Sequence, residues 1–250
     1  MQARSIDEVI SILESIINEC IKNNDPLGFF AILYQKVTLK VKEGIENDFF
    51  ENGPRMEQLD VVFANRYIAA YAAYQNNEVV TDSWKKAFKL KSNYWPIVLQ
   101  HLLMGMNAHI NLDLGIAAAE ISRNNNIDDL ETDFKKINDI LSSLVNEIQN
   151  DLAAIWPTLL LILKKTKKVD DFLVDFSMEL ARDGAWKFAK SIANKPEHEW
   201  VELISIRDGK VAGNVRYIRS KALMLRIIFG IVRLGERGSV ARKIEQMKEG

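Results

Sequence analysis

The groups best suited to acid–base or ligand chemistry lie together in one apolar stretch, QHLLMGMNAHINLDLGIAAAE, residues 100–120. It holds His101 and His109, two of the three histidines in the chain, with Asn107, Asn111 and Asp113. On a helical wheel of about 100° per residue, His109 and Asp113 lie about 40° apart, on neighbouring turns of one face. A carboxylate at that spacing can orient an imidazole for proton transfer. The same two residues could instead supply two ligands to a divalent metal such as zinc, with a further carboxylate from elsewhere. Asn107 and Asn111 fall on the opposite side of the wheel. His101 lies about 12 Å along the axis from His109 at a rise of roughly 1.5 Å per residue, which gives it a separate or outer role. Gly105, between the histidines, leaves space for a neighbouring helix or a ligand. The competing reading is structural: buried histidines and asparagines also serve as hydrogen-bonding groups that fix helix packing.

Four residues elsewhere could join this site. LDVVFANRY carries Asp60 and Arg66, six apart and so on different faces of their helix. Arg66 can pair with a carboxylate of the central helix or bind an anionic ligand. ARDGAWKFA carries Arg182 and Trp186, four apart, a spacing at which they could stack to form one wall of a pocket. A structural ion pair is the alternative for Arg66, and ordinary packing the alternative for Trp186. His101, Asn107, Asn111, Arg66, Asp60, Arg182 and Trp186 are thus the candidate ligand-binding residues around the catalytic or metal candidates His109 and Asp113.

The elements that must position these residues read as helices. Five prolines and twelve glycines in 250 residues favour long helices over many short strands. SIDEVISILESIINECIKNN begins with a capping box, Ser5 and Glu8, and carries apolar residues at helical spacing. PLGFFAILYQKVTLKVKEGI, MEQLDVVFANRYIAAYAAYQNN and TDSWKKAFKL follow as further helices, the last capped by Thr81 or Asp82. Residues from about 95 to 122 form a central helix that is apolar all round, the mark of a helix buried inside a bundle. Trp84 and Trp95 beside it read as core. IDDLETDFKKINDILSSLVNEIQNDLAAIW is amphipathic up to Pro157, and TLLLILKK and VDDFLVDFSMELARDGAWKFAKSIAN add at least one helix. Residues 199–212 read as a helix, with a hairpin at Asp208-Gly209 as the alternative. A closing basic helix carries Arg216, Arg219, Lys221, Arg226, Arg233, Arg237, Arg242 and Lys243, and reads as a solvated face, with a membrane-surface or partner-binding helix as the alternative. No repeat or linker divides the chain, so the expectation is a single all-α domain over residues 1–250, a multi-helix bundle around the central helix.

Composition narrows the function classes. Thirty-three basic residues against 34 acidic ones give no general pull toward nucleic acid or anionic lipid. One cysteine, Cys20, forbids an intramolecular disulfide and a cysteine-based zinc cluster. No run of about 18 apolar residues or signal-like segment is present, so a cytoplasmic protein without a membrane span is expected. Phosphate loops, nucleophile elbows and cofactor fingerprints are missing.

GMNAHINLDL resembles the signature of a bacterial family of helical proteins of unknown function. The likeness extends through FFAILYQKVT, MEQLDVVFANRYIAAY, SWKKAF and ELARDGAWKFA, from about Pro26 to Ala189. The resemblance implies an all-helical single domain with a polar focus at the signature, and no particular chemistry. The residues themselves suggest an enzyme, a hydrolase or lyase acting on a small polar molecule. In that reading His109 is the acid–base group, Asp113 its orienter, and Asn107 and Arg66 the substrate-positioning residues. The alternative is a non-catalytic helical protein whose buried polar groups bind a ligand or fix packing.

Overall fold

Local sequence signals set where the first and third helices begin. The computed structural model describes residues 2–141, 144, 178–218, 223–236 and 238–249. Helix α1, Ile6–Asn23, starts at Ser5, whose hydroxyl accepts the Glu8 N–H, and ends at Asn24 in the left-handed conformation, φ 53°. The Glu8 carboxylate takes the N–H of Arg4 rather than that of Ser5. Helix α2 runs Gly28–Glu46 and α3 Gly53–Gln75, the latter capped by Asn52 with Pro54 in its first turn. Helix α4, Asp82–Lys89, is followed by a 3₁₀ turn, Leu90–Ser92. The central helix is three pieces in continuous sequence: α5, Val98–Ala108; a π-helical segment, His109–Leu114; and α6, Gly115–Ile121. A helical run over 131–141, α7, comes after the 3₁₀ turn Ile127–Leu130. Helices α8, Met178–Ala193, α9, Glu197–Ile218, α10, Leu223–Gly235, and α11, Val240–Glu249, complete the described chain.

The described residues contain no strand, and the fold is all-α. Asp208 and Gly209 lie within α9, so residues 199–212 are helix and Gly209 caps nothing. The closing basic segment is not one helix: α9, α10 and α11 divide it, and Gly238 sits at φ 87° between the last two. Nor are all its charges solvated. Arg233 and the buried Lys243 both bind Glu236, at 3.3 and 3.0 Å. Residues 145–177, which include TLLLILKK and VDDFLVDFS, lie outside the described residues. None of the described helices is long and apolar enough to cross a membrane.

Two apolar clusters form the core. The first draws mainly on α1 to α5 with α10 and α11; the second draws mainly on the π segment, α6, α7, α8 and α9, with Ile6, Val41, Met56 and Leu59 from the first three helices. Ala108 belongs to the first and Ile110 to the second, so the central helix passes from one to the other within its π segment. Close crossings fix its height. A Cβ on Gly115 would meet the Ala185 carbonyl oxygen of α8 at 2.7 Å. One on Gly105 would lie 2.3 Å from the Phe30 ring, so this glycine admits α2.

Three helix N-termini are met by carboxylates from distant parts of the chain. Asp208 of α9 accepts the N–H groups of Asp82 and Ser83 at 2.7 and 2.9 Å. The Thr81 side chain, expected as the cap of α4, makes no such bond. Asp133 accepts those of Glu51 and Asn52 ahead of α3, and Glu236 that of Val98 in α5. Each places a negative charge where the helix dipole and the unpaired N–H groups favour it.

Candidate functional site

Asp113 is the buried carboxylate on which the candidate site converges. It is 1% exposed, and both its oxygens are engaged. Arg66 Nε of α3 donates to Oδ1 at 2.9 Å; Trp84 Nε1 of α4 and His109 Nδ1 donate to Oδ2 at 2.8 and 3.1 Å. Burial alone would raise the Asp113 carboxyl, but the Arg66 charge and the bonds from His109 and Trp84 outweigh it and hold it below its ordinary range. Asp113 is therefore ionised, and an ionised acceptor places the His109 proton on Nδ1. Burial depresses the His109 pKa against the pull of Asp113, so the imidazole is neutral. Its other nitrogen, Nε2, is buried without a hydrogen-bond partner among the described residues.

The π turn sets this geometry. Bonds from i to i+5 rotate each residue by less than the roughly 100° of an α-helix, which keeps His109 and Asp113 on one side over four residues. The imidazole then fills a box of aromatic rings. Phe63 stacks on it at 3.6 Å and 7°, and Tyr34 meets it edge-on at 4.5 Å. Phe30, Tyr67 and Trp84 lie at 5.8, 6.0 and 5.8 Å. The His109–Asp113 face is thus sealed by Arg66, Trp84 and these rings. Arg66, about a quarter exposed, is its outermost member.

The remaining candidates occupy other places. Asn107 and Asn111 turn to α9: Asn107 donates to the Val211 carbonyl at 3.0 Å, Asn111 donates to the Asn107 side chain at 3.3 Å, and Arg207 donates to the Asn111 carbonyl at 2.8 Å. They fix the α9 crossing and do not touch the imidazole. His101 packs on Phe29 and lines a narrow cleft with Gly105, Phe30, Tyr67, Trp84 and Phe88 that has room for about one water molecule. Burial, with the charge of Arg233, pulls the His101 pKa down to about 4. Arg182 and Trp186 do not stack on each other; each packs on Phe134, at 4.6 and 4.8 Å, and Arg182 also donates to the Phe134 carbonyl. Burial lowers the Arg182 pKa to about 9.

Asp60 is a buried carboxylate whose Oδ2 has no partner among the described residues. Burial, reinforced by the charge of Glu57, pushes its pKa up to about 7. A raised carboxyl favours the fold when protonated, so its contribution is complete below the unfolded value near 3.8 and is lost as pH rises through about 7. Asp60→Asn should therefore melt close to wild type at pH 4 and progressively above it toward pH 8, by calorimetry. A gap independent of pH would mean that Asp60 ionises freely.

Sequence reasoning placed Trp84 and Trp95 alike in the core. Trp84 is buried and donates to Asp113, whereas Trp95 is 61% exposed. The aromatic box was equally hidden, although the need of a buried indole N–H for an acceptor was a usable signal. The residues do not fit a zinc-type site. Both Asp113 oxygens accept hydrogen bonds, one from a cation, and His109 offers only Nε2. Among the described residues no group of three or more His, Cys, Asp or Glu side chains is placed to hold an ion.

No curated protein and no solved structure matches the chain. The family comparison reaches further in both directions than the resemblance read from Pro26 to Ala189. With its model matching residues 6–221, the chain belongs to DUF5995, a family of unknown function.

Proposed function

We propose that the protein is an enzyme, a hydrolase or lyase acting on a small polar molecule, with His109 as its general base. The single observation behind this reading is the division of labour on one imidazole. Nδ1 is committed to an ionised, doubly anchored Asp113, while Nε2 is buried and has no partner among the described residues. A carboxylate that fixes the tautomer and stabilises the imidazolium is the arrangement general-base catalysis requires. Arg66 holds Asp113 in place and, as the outermost cation of the site, could meet an anionic group of the substrate.

The test is turnover of a panel of small esters, amides and hydroxy acids by wild type and by His109→Gln. Wild-type turnover on one class, reduced about 10²–10⁴-fold in the variant with little change in melting temperature, is the expected result. The second reading is structural, and the stacking of Phe63 on a 2% exposed ring favours it. It expects no turnover by wild type and a large drop in melting temperature for His109→Gln.

A further inference from the structure

The unpartnered Nε2 of His109 has company. Tyr34 Oη and Thr38 Oγ1 on α2 and Asp60 Oδ2 on α3 are also buried with no hydrogen-bond partner among the described residues. All four side chains belong to residues at most 6% exposed. Buried polar groups in native proteins nearly always find partners, so these four, with Tyr67 Oη of the same aromatic box as a fifth, call for an explanation.

Their places in the fold bring them together. Ring contacts give the register of α2 against α3: Phe30 meets Tyr67 at 5.1 Å, and Tyr34 meets both Tyr67, at 5.9 Å, and Phe63, at 5.8 Å. Rising numbers on α2 face falling numbers on α3, so the helices run antiparallel. Thr38 is one turn beyond Tyr34 on α2, and Asp60 one turn before Phe63 on α3. Both lie toward the same end of the helix pair, beside the Tyr34–Phe63–His109 contact. In keeping with this, Asp60 is the charge that acts most strongly on the Tyr34 hydroxyl, followed by Asp113.

We propose that Tyr34, Thr38, Asp60 and His109 Nε2 line one internal binding site for a small uncharged guest carrying both hydrogen-bond donors and acceptors, of the amide or hydroxyl class. The donor inventory sets the class. His109 Nε2 offers a lone pair, since the proton is on Nδ1; the Tyr34 and Thr38 hydroxyls can each give and take; and a carboxyl that exchanges its proton near neutrality can also do both. A guest with one kind of group would leave orphans behind. A charged guest would lose its hydration without an opposite charge fixed to meet it, because Asp113 is already matched by Arg66. The inference rests on Nε2 being the open end of the dyad, but not on catalysis.

Acetamide is the probe, with acetate and methylammonium as charged comparisons, followed through the His109 imidazole and Tyr34 ring signals by NMR. Acetamide should shift both signals saturably, at a dissociation constant around 1 mM as suits so small a ligand. Tyr34→Phe/Thr38→Val should weaken binding at least tenfold while raising the melting temperature of the free protein, because two unpaired hydroxyls are gone. The charged probes should bind at least tenfold more weakly than acetamide. The proposal is overturned by no saturable shift with acetamide, by affinity in the double variant within twofold of wild type, or by equal binding of the charged probes. A lowered melting temperature in the double variant also overturns it, since the hydroxyls would then be paired. Acetamide binding with no turnover on any substrate would remove the enzyme reading and leave this site standing.

Discussion

Asp113→Ala should destabilise the protein by about 3–5 kcal/mol, the usual cost of removing one partner from a buried ion pair. Three donors depend on this carboxylate: the Arg66 guanidinium, the Trp84 indole and the His109 imidazole. Alanine leaves the last two buried without that acceptor. Arg66 can turn partly to solvent, so most of the loss falls on Trp84 and His109. Asp113→Asn keeps one carbonyl acceptor and should lie between wild type and alanine. The carboxyl of Asp113 is held below its ordinary value in the folded state. Its stabilisation is therefore present above the unfolded value near 3.8 and is lost as pH falls through the folded one. His109, buried neutral, adds to the same acid limb from about pH 6.5 downward, because unfolding frees it to take a proton. Urea unfolding from pH 7 downward should show the wild-type advantage over Asp113→Ala largely retained at pH 4 and shrinking only as pH falls below the unfolded value near 3.8. A loss under about 1 kcal/mol at pH 7 would mean that the carboxylate does not organise the site.

Gly105→Ala is expected to cost about 1–3 kcal/mol, an overpacking effect out of proportion to one methyl group. On the surface of a helix this change would stabilise, since alanine is the better helix former. Here the new Cβ falls 2.3 Å from two atoms of the Phe30 ring and 2.9 Å from its Cβ. The obstacle is the root of a buried side chain wedged among Tyr67, Trp84 and His109, not a flexible tip. Either α2 moves away from α5 or the aromatic box opens, and both loosen the packing around the imidazole. Phe30→Ala creates a cavity and is itself destabilising. In combination, the two changes should cost less than their sum by at least about 1 kcal/mol, measured in a double-mutant cycle. Simple additivity would place the strain elsewhere.

Much of the fold was legible because helix formation is a local matter. The caps Ser5 and Asn52 and the spacing of apolar residues in α1 act within a few residues of the groups they serve. The α4 cap was not legible. Its acceptor, Asp208, stands 126 residues from Asp82, and no spacing rule reaches that far. The central helix shows both cases in one stretch. A wheel of uniform pitch put His109 with Asp113 and sent Asn107 and Asn111 the other way, and their partners on α3, α4 and α9 follow that division. It carried no hint of the π turn, because a shift from i+4 to i+5 bonding is imposed by the crossings that the helix must satisfy.

By itself, then, the sequence determined that this chain is helical, that one apolar helix must hold several polar groups, and which of those groups share a face. These are properties of periodicity and of contacts within about four residues. Only the tertiary structure decided what those groups meet. Arg66 and Trp84 reach Asp113 across 47 and 29 residues, Trp95 ends in solvent while Trp84 ends in the core, and Phe63 closes over His109. Helix crossings set by side-chain volume, such as the approach of Phe30 to Gly105, make those choices, and volume complementarity between distant segments is not written in the spacing of either one.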